Sequence, residues 1–403
     1  MGMLIAIFFR FDKDSKKIIL FDIWQIIINK NTVPLLYYKL YFYIMNHTIT
    51  VPNGTERNFA LDLLRVLACL LVVWQHITEC YYINPDLTAQ SHDGMPLIGW
   101  MNSMTPIEVP LFVMISGYLL LPLKMDISAF FKRRFTRVLI PFVVWCVIYA
   151  GYYMITRGDT FLDFVRNVVH IPVNFGVEIG HMWFIYMLLG LYMLVPILSP
   201  WLQQCSKRQL QGYLGVWAFT TYLPYIHLWF PEVLGECFWN PTPMLHYFTG
   251  FIGYFLLGYY IKRYGPLSVR TSWLVLIGAY LFTVIVFQYR LGKVTMVPDL
   301  EVCWRFCGIN IAVMAYAVFS LVIRIPWQGN NAFGRWISQV SGLSYAIYFV
   351  HLIMVFTWYG WLGESLKHVY FQIPVLTMGA FLSSYAIVWV LSKFPKAKVW
   401  LGS

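Results

Sequence analysis

The chain has 403 residues, 59% of them hydrophobic and only 12% charged, and its mean hydropathy is +0.63. Soluble domains carry roughly 25% charged residues, so a water-facing globule is excluded; the long, unalternating apolar runs also exclude a barrel of alternating strands about ten residues long. The net charge of +11 gives no case for nucleic acid, because Lys and Arg fall mainly in short connectors, where they set membrane topology.

The predicted fold is all-α, a polytopic membrane helix bundle. Residues 1–56 form a basic N-terminal extension. Its apolar run "IILFDIWQIIINK" is short, interrupted by Asp22 and followed by no small-residue cleavage site, so it makes a poor secretory signal. Two readings stand: a membrane-surface segment, or a start-site artefact with translation beginning at Met45. The second is preferred. Residues 57–400 read as one transmembrane domain. About ten spans are predicted, near 61–79, 105–122, 136–156, 182–200, 211–230, 245–262, 272–289, 306–324, 341–361 and 374–392, each close to the ~20 residues that cross the hydrocarbon. The connectors after even-numbered spans, with the C-terminal tail, hold fifteen Lys and Arg against six in the others, which puts both termini in the cytoplasm. Seven scattered cysteines show no CxxC or CxxH spacing, so no metal site and no complete disulfide framework are expected.

The first span carries the strongest signal. In "RVLACLLVVWQH", Arg65 and His76 are eleven positions apart, which is three helical turns plus about 20°, so they share a face roughly 16 Å apart along the axis. Asp62 and Glu79 lie one turn beyond each end of that stripe. Such groups are costly in hydrocarbon and normally face a cavity or a substrate path, although Asp62 and Arg65 could also be simple interhelical glue. His76 is suited to proton transfer near neutral pH, whereas Arg65 stays cationic and can hold a carboxylate or phosphate.

Further along, "VPLFVMISGYLLLP" places Ser116 and Gly117 in mid-span, either a helix-packing notch or a place of close ligand approach. In "FFKRRFTRVLIPF", Arg134 and Arg137 project to one side at the start of a span, as a topological anchor or a phosphate clamp. His181 and Trp183 begin another span and could be interfacial belt residues. Ser344, Tyr348 and His351 share a helix face near the C-terminus.

Taken in order, these segments resemble the integral-membrane acyltransferase family three over about residues 57–395. The resemblance rests on the Arg65–His76 spacing, on "LFVMISGYLL" with Tyr118 where the family usually has Phe, on Arg134-x-x-Arg137, on Trp183–Phe184, and on the late Ser344, Tyr348 and His351 pattern. It looks most like the inner-membrane O-acetyltransferases of the enterobacterial common antigen type. The resemblance implies a multi-pass protein of the bacterial cytoplasmic membrane, with acetyl-CoA or another acyl-CoA as co-substrate and no permanently bound cofactor. Its implied acceptor is a hydroxyl of an envelope glycan or lipid-linked saccharide. His76 and Arg65 would be catalytic, and Arg134, Arg137, Ser116 and Gly117 would bind the donor. Asp62, Glu79, His181, Trp183, Ser344, Tyr348 and His351 are candidates for the acceptor side or for a supporting role. From the residues alone, a multi-pass transporter of a sugar, an acyl group or a proton-coupled solute is the alternative.

Overall fold

The computed structural model describes residues 9–11, 18–20, 58–90, 92–173, 180–233, 235–237, 240–243, 245–326, 329–363 and 368–402. The chain divides into two units, Met1–Glu56 and Arg57–Ser403. In the first, strand β1 (Phe9–Phe11) pairs antiparallel with β2 (Ile18–Leu20). Both readings of the extension otherwise fall outside the described residues.

Among its described residues the second unit is helical apart from one short hairpin, β3 (Gly235–Cys237) with β4 (Asn240–Pro243), and two isolated bridges, Ile83 to Ala89 and Thr88 to Met296. Its helices are α1 (Phe59–Tyr82), α2 (Met95–Asn102), α3 (Glu108–Leu120), α4 (Ile127–Thr156), α5 (Phe161–His170), α6 (Trp183–Gln204), α7 (Lys207–Thr220) and α8 (Leu223–Trp229). After the hairpin come α9 (Ile252–Tyr264), α10 (Val269–Arg290), α11 (Val297–Leu300), α12 (Ile309–Val322), α13 (Ala332–Leu362), α14 (Val369–Leu391) and α15 (Ala397–Leu401). In hydrocarbon each backbone donor and acceptor must be satisfied internally, which is why an apolar chain of this composition resolves into helices.

By length and composition, seven helical stretches among the described residues can cross a membrane, Met95–Leu120 being taken as one stretch, and eight if the bent pair Val297–Trp304 and Ile309–Val322 counts as one span. With those joined stretches counted, two of the ten predicted intervals hold only shorter helices. Interval 211–230 is broken between α7 and α8, where the Thr220 and Thr221 hydroxyls bond back to the carbonyls of Trp217 and Ala218 and Pro224 restarts the chain at the head of α8. In interval 245–262 a 3-10 turn at His246–Phe248 precedes α9, which is 13 residues long and thus about 20 Å and ends at Gly265 with φ +88°.

α1 is the hub, packing against α3, α12, α13 and α14. Leu61, Leu64 and Ala68, then Cys69, Val73 and Ile77, recur at three- and four-residue spacing and are all buried. Asn58 caps the helix, accepting from the Ala60 N–H at 3.0 Å. α9 gets inside the bundle through glycine. A Cβ at Gly117 of α3 would lie 1.8 Å from the Phe255 carbonyl oxygen, and one at Gly258 of α9 would lie 2.0 Å from that of Met114. The two helices therefore cross backbone against backbone.

Candidate active site

Two polar groups sit about three turns apart along α1, as the stripe predicted. At the far end, His76 Nδ1 meets Glu79 Oε2 at 2.6 Å. A carboxylate can only accept, so Nδ1 carries the proton, and in the neutral imidazole Nε2 then presents its lone pair. Gln75 braces Glu79, its Nε2 donating to Glu79 Oε1 at 3.3 Å. The Thr105 hydroxyl lies 3.3 Å from Gln75 Oε1, with Asn102 Oδ1 and the Asn102 carbonyl closer, at 2.8 and 2.9 Å. The His76 side chain keeps 23% exposure.

Beside it, α13 delivers His351, whose ring centroid is 5.3 Å from that of His76. His351 Nδ1 donates to the Tyr348 carbonyl at 2.5 Å, which again leaves Nε2 as the basic nitrogen. That nitrogen is buried and has no hydrogen-bond partner among the described residues. The His181 ring follows at 5.2 Å from His351, edge-on. The Tyr348 hydroxyl donates to the His181 carbonyl, so the start of α6 is fixed against α13. Phe184 lies between Phe112 of α3 and Tyr348, with centroids at 6.1 and 5.6 Å. Trp183 instead joins an aromatic cluster, at 5.6 Å from both Phe251 and Phe306. The Ser344 hydroxyl is used locally, donating to the Ser341 carbonyl at 2.8 Å.

At the near end, Arg65 pairs with Asp62 at 3.2 Å. Asp62 is 2% exposed and also accepts from the hydroxyls of Ser341 at 2.6 Å and Ser338 at 3.2 Å. It is thus a bolt between α1 and α13 as well as the counter-ion of Arg65. Arg65, Arg134 and Arg137 all act electrostatically on the Tyr192 hydroxyl of α6. Arg137 Nε donates to the carbonyl of Gly402 at 3.1 Å. The Ser116 hydroxyl bonds back to the Phe112 carbonyl at 2.9 Å. Gly117, predicted among the donor-binding residues, faces α9 at the close helix crossing; its missing side chain is what the packing needs.

Several residues at these sites were not singled out from the sequence: Gln75, Glu108, Tyr149, Tyr192, Glu301 and Gly402. Glu108 opens α3 and is 2% exposed, with no partner for Oε2 among the described residues. Glu108 and Glu301 are both within electrostatic reach of Glu79, and the Tyr82 hydroxyl donates to Glu301. The signal available was a carboxyl at the head of the "ISGY" span, as unexpected there as those of span one. Tyr149, whose ring lies 5.3 Å from His181, was hidden among many tyrosines.

No curated protein and no solved structure matches the chain. The family model of the acyltransferase family 3, described as an acyltransferase domain, matches residues 58–393. That interval holds Asp62, Arg65, His76, Glu79, Arg134, Arg137 and His351, and it covers most of the chain. The protein therefore belongs to acyltransferase family 3 and is a membrane acyltransferase.

Proposed function

We propose that the protein transfers an acyl group, acetyl in the first instance, from cytoplasmic acyl-CoA to a hydroxyl of an envelope glycan at the bacterial inner membrane. The observation that carries this reading is the His76–Glu79 pair, 2.6 Å apart, standing about three turns of α1 from Arg65, with Arg134 and Arg137 supplied by α4. Guanidinium groups suit the phosphates of a nucleotide thioester. The roughly 16 Å of helix between the two groups would let the donor lie along the stripe with its thioester towards His76.

In this scheme His76 Nε2 takes the proton of the acceptor hydroxyl as its oxygen attacks the thioester carbonyl. The C–S bond breaks, and the departing thiolate recovers the proton from the imidazolium. Glu79 holds the Nδ1 proton throughout and stabilises the transient cation. His351 presents a second basic nitrogen beside the first.

The test is donor kinetics with acetyl-CoA as the probe. Each charge-assisted hydrogen bond is worth about 1.5–3 kcal/mol, so Arg134→Ala/Arg137→Ala should raise KM for acetyl-CoA by at least about tenfold with membrane insertion intact, because Lys132 and Arg133 preserve the basic connector. An unchanged KM in a normally inserted double variant removes the clamp from the scheme. Mass spectrometry of envelope glycans from cells with and without the gene identifies the acceptor; no difference in glycan acylation contradicts the glycan assignment.

A further inference from the structure

The guanidinium of Arg137 is tied to a segment beyond the family match, which ends at residue 393. Its Nε donates to the Gly402 carbonyl at 3.1 Å. The short helix α15 seats Ala397 and Leu401 in the bundle, at 2% and 0% exposure, and packs on α4. Its C-terminal cap is Gly402, at φ +70° and ψ +20°, whose own N–H returns to the Lys398 carbonyl at 3.2 Å. That left-handed turn suits glycine and presents the Gly402 carbonyl to Nε. There is no room for a side chain: a Cβ at residue 402 would lie 2.6 Å from the Tyr345 ring and 2.9 Å from the Arg137 carbonyl oxygen. Tyr345 is held in turn, its hydroxyl donating to the Val138 carbonyl at 2.9 Å.

A guanidinium has five N–H groups in a planar fork. With Nε–H committed to a backbone carbonyl, the end-on edge formed by the two terminal nitrogens stays available, and its direction is set. An arginine that must be ordered when its ligand arrives loses rotamer freedom at that moment; one already anchored loses less, and the ligand binds more tightly. We propose that residues 397–402 form a positioning latch that pre-orders Arg137 for the phosphate-bearing end of the acyl donor. The latch rests on the reading of Arg134 and Arg137 as the donor clamp. Gly402 is a positioning residue in it, with its backbone acting through Arg137.

Gly402→Ala tests the latch, since it strains the left-handed turn and drives a methyl into Tyr345. With full-length protein in detergent, Kd and KM for acetyl-CoA should rise about three- to tenfold, while kcat at saturating donor stays unchanged. Leu401→Ala, which loosens the seat of α15 without touching the glycine turn, should shift donor affinity in the same direction. In an Arg137→Ala background, adding Gly402→Ala should cause no further rise, because the group being positioned is gone. If both latch variants are folded and leave donor affinity unchanged while Arg134→Ala/Arg137→Ala weakens it, the latch is wrong and the clamp stands. If the double arginine variant is also without effect, the clamp reading itself fails. A rise that persists in the Arg137→Ala background overturns the latch by showing that its effect does not pass through Arg137.

Discussion

Glu79 Oε2 sits 2.6 Å from His76 Nδ1, and this contact fixes which nitrogen of the imidazole can do chemistry. With Nδ1–H committed, any proton taken from an acceptor goes to Nε2. General base catalysis contributes about 10²–10⁴-fold, so His76→Ala should lower turnover by that factor while donor binding is largely kept. His76→Gln should be nearly as inactive, because it hydrogen-bonds without accepting the proton. Glu79→Gln tests the orientation separately. An amide can offer Nδ1 either its oxygen or its NH₂, and it supplies no charge to the imidazolium, so turnover should fall towards the same range with KM for acetyl-CoA unchanged. Turnover normalised to folded, donor-binding protein checks all three variants; normal turnover in Glu79→Gln removes the carboxylate from the mechanism. The juxtaposition of His76 and Glu79 was legible in the sequence because both lie on one helix with a known period. The approach of His351 to His76 was not, since it depends on how α13 packs on α1, and no spacing within either helix encodes that.

The element that best separates packing from chemistry is the crossing of α3 and α9. Gly117 and Gly258 each press on a carbonyl of the other helix, and a methyl at either site has only backbone to push against. Overpacking of a tight core typically costs about 1–3 kcal/mol. Gly117→Ala should therefore lower the thermal unfolding temperature and the yield of folded protein, and Gly258→Ala should do the same, with a double-variant effect that is not additive. A donor-surface role for Gly117 would give the opposite pattern, a raised KM at unchanged stability. In the sequence, "ISGY" and "GYFLLGYY" were both visible, but the pairing of their glycines was not; it appears only once the two helices are in contact. The break between α7 and α8 has a similar origin. Hydropathy runs smoothly through 211–230, whereas helix continuity there is decided by threonine back-bonding and by Pro224.

At the scale of the whole molecule, composition and hydropathy were enough to give the fold class. Few charges and long apolar runs leave a helical bundle as the way to satisfy the backbone in lipid. Helix length was less legible, because a window of apolar residues does not distinguish a long helix from a 13-residue one such as α9. The family match begins at residue 58, so a chain starting at Met45 should insert and acylate normally; lost activity at equal expression would show that the extension takes part. The measurement that bears most directly on the account is the release of thiol from acetyl-CoA together with the acylation of envelope glycan, by wild type and His76→Ala, per unit of folded protein that binds acetyl-CoA. The account predicts that thiol and acylated product appear in equal amounts with the wild type and that His76→Ala lowers both by about 10²–10⁴-fold with donor affinity retained. Equal turnover by the two proteins, per folded molecule, would contradict it.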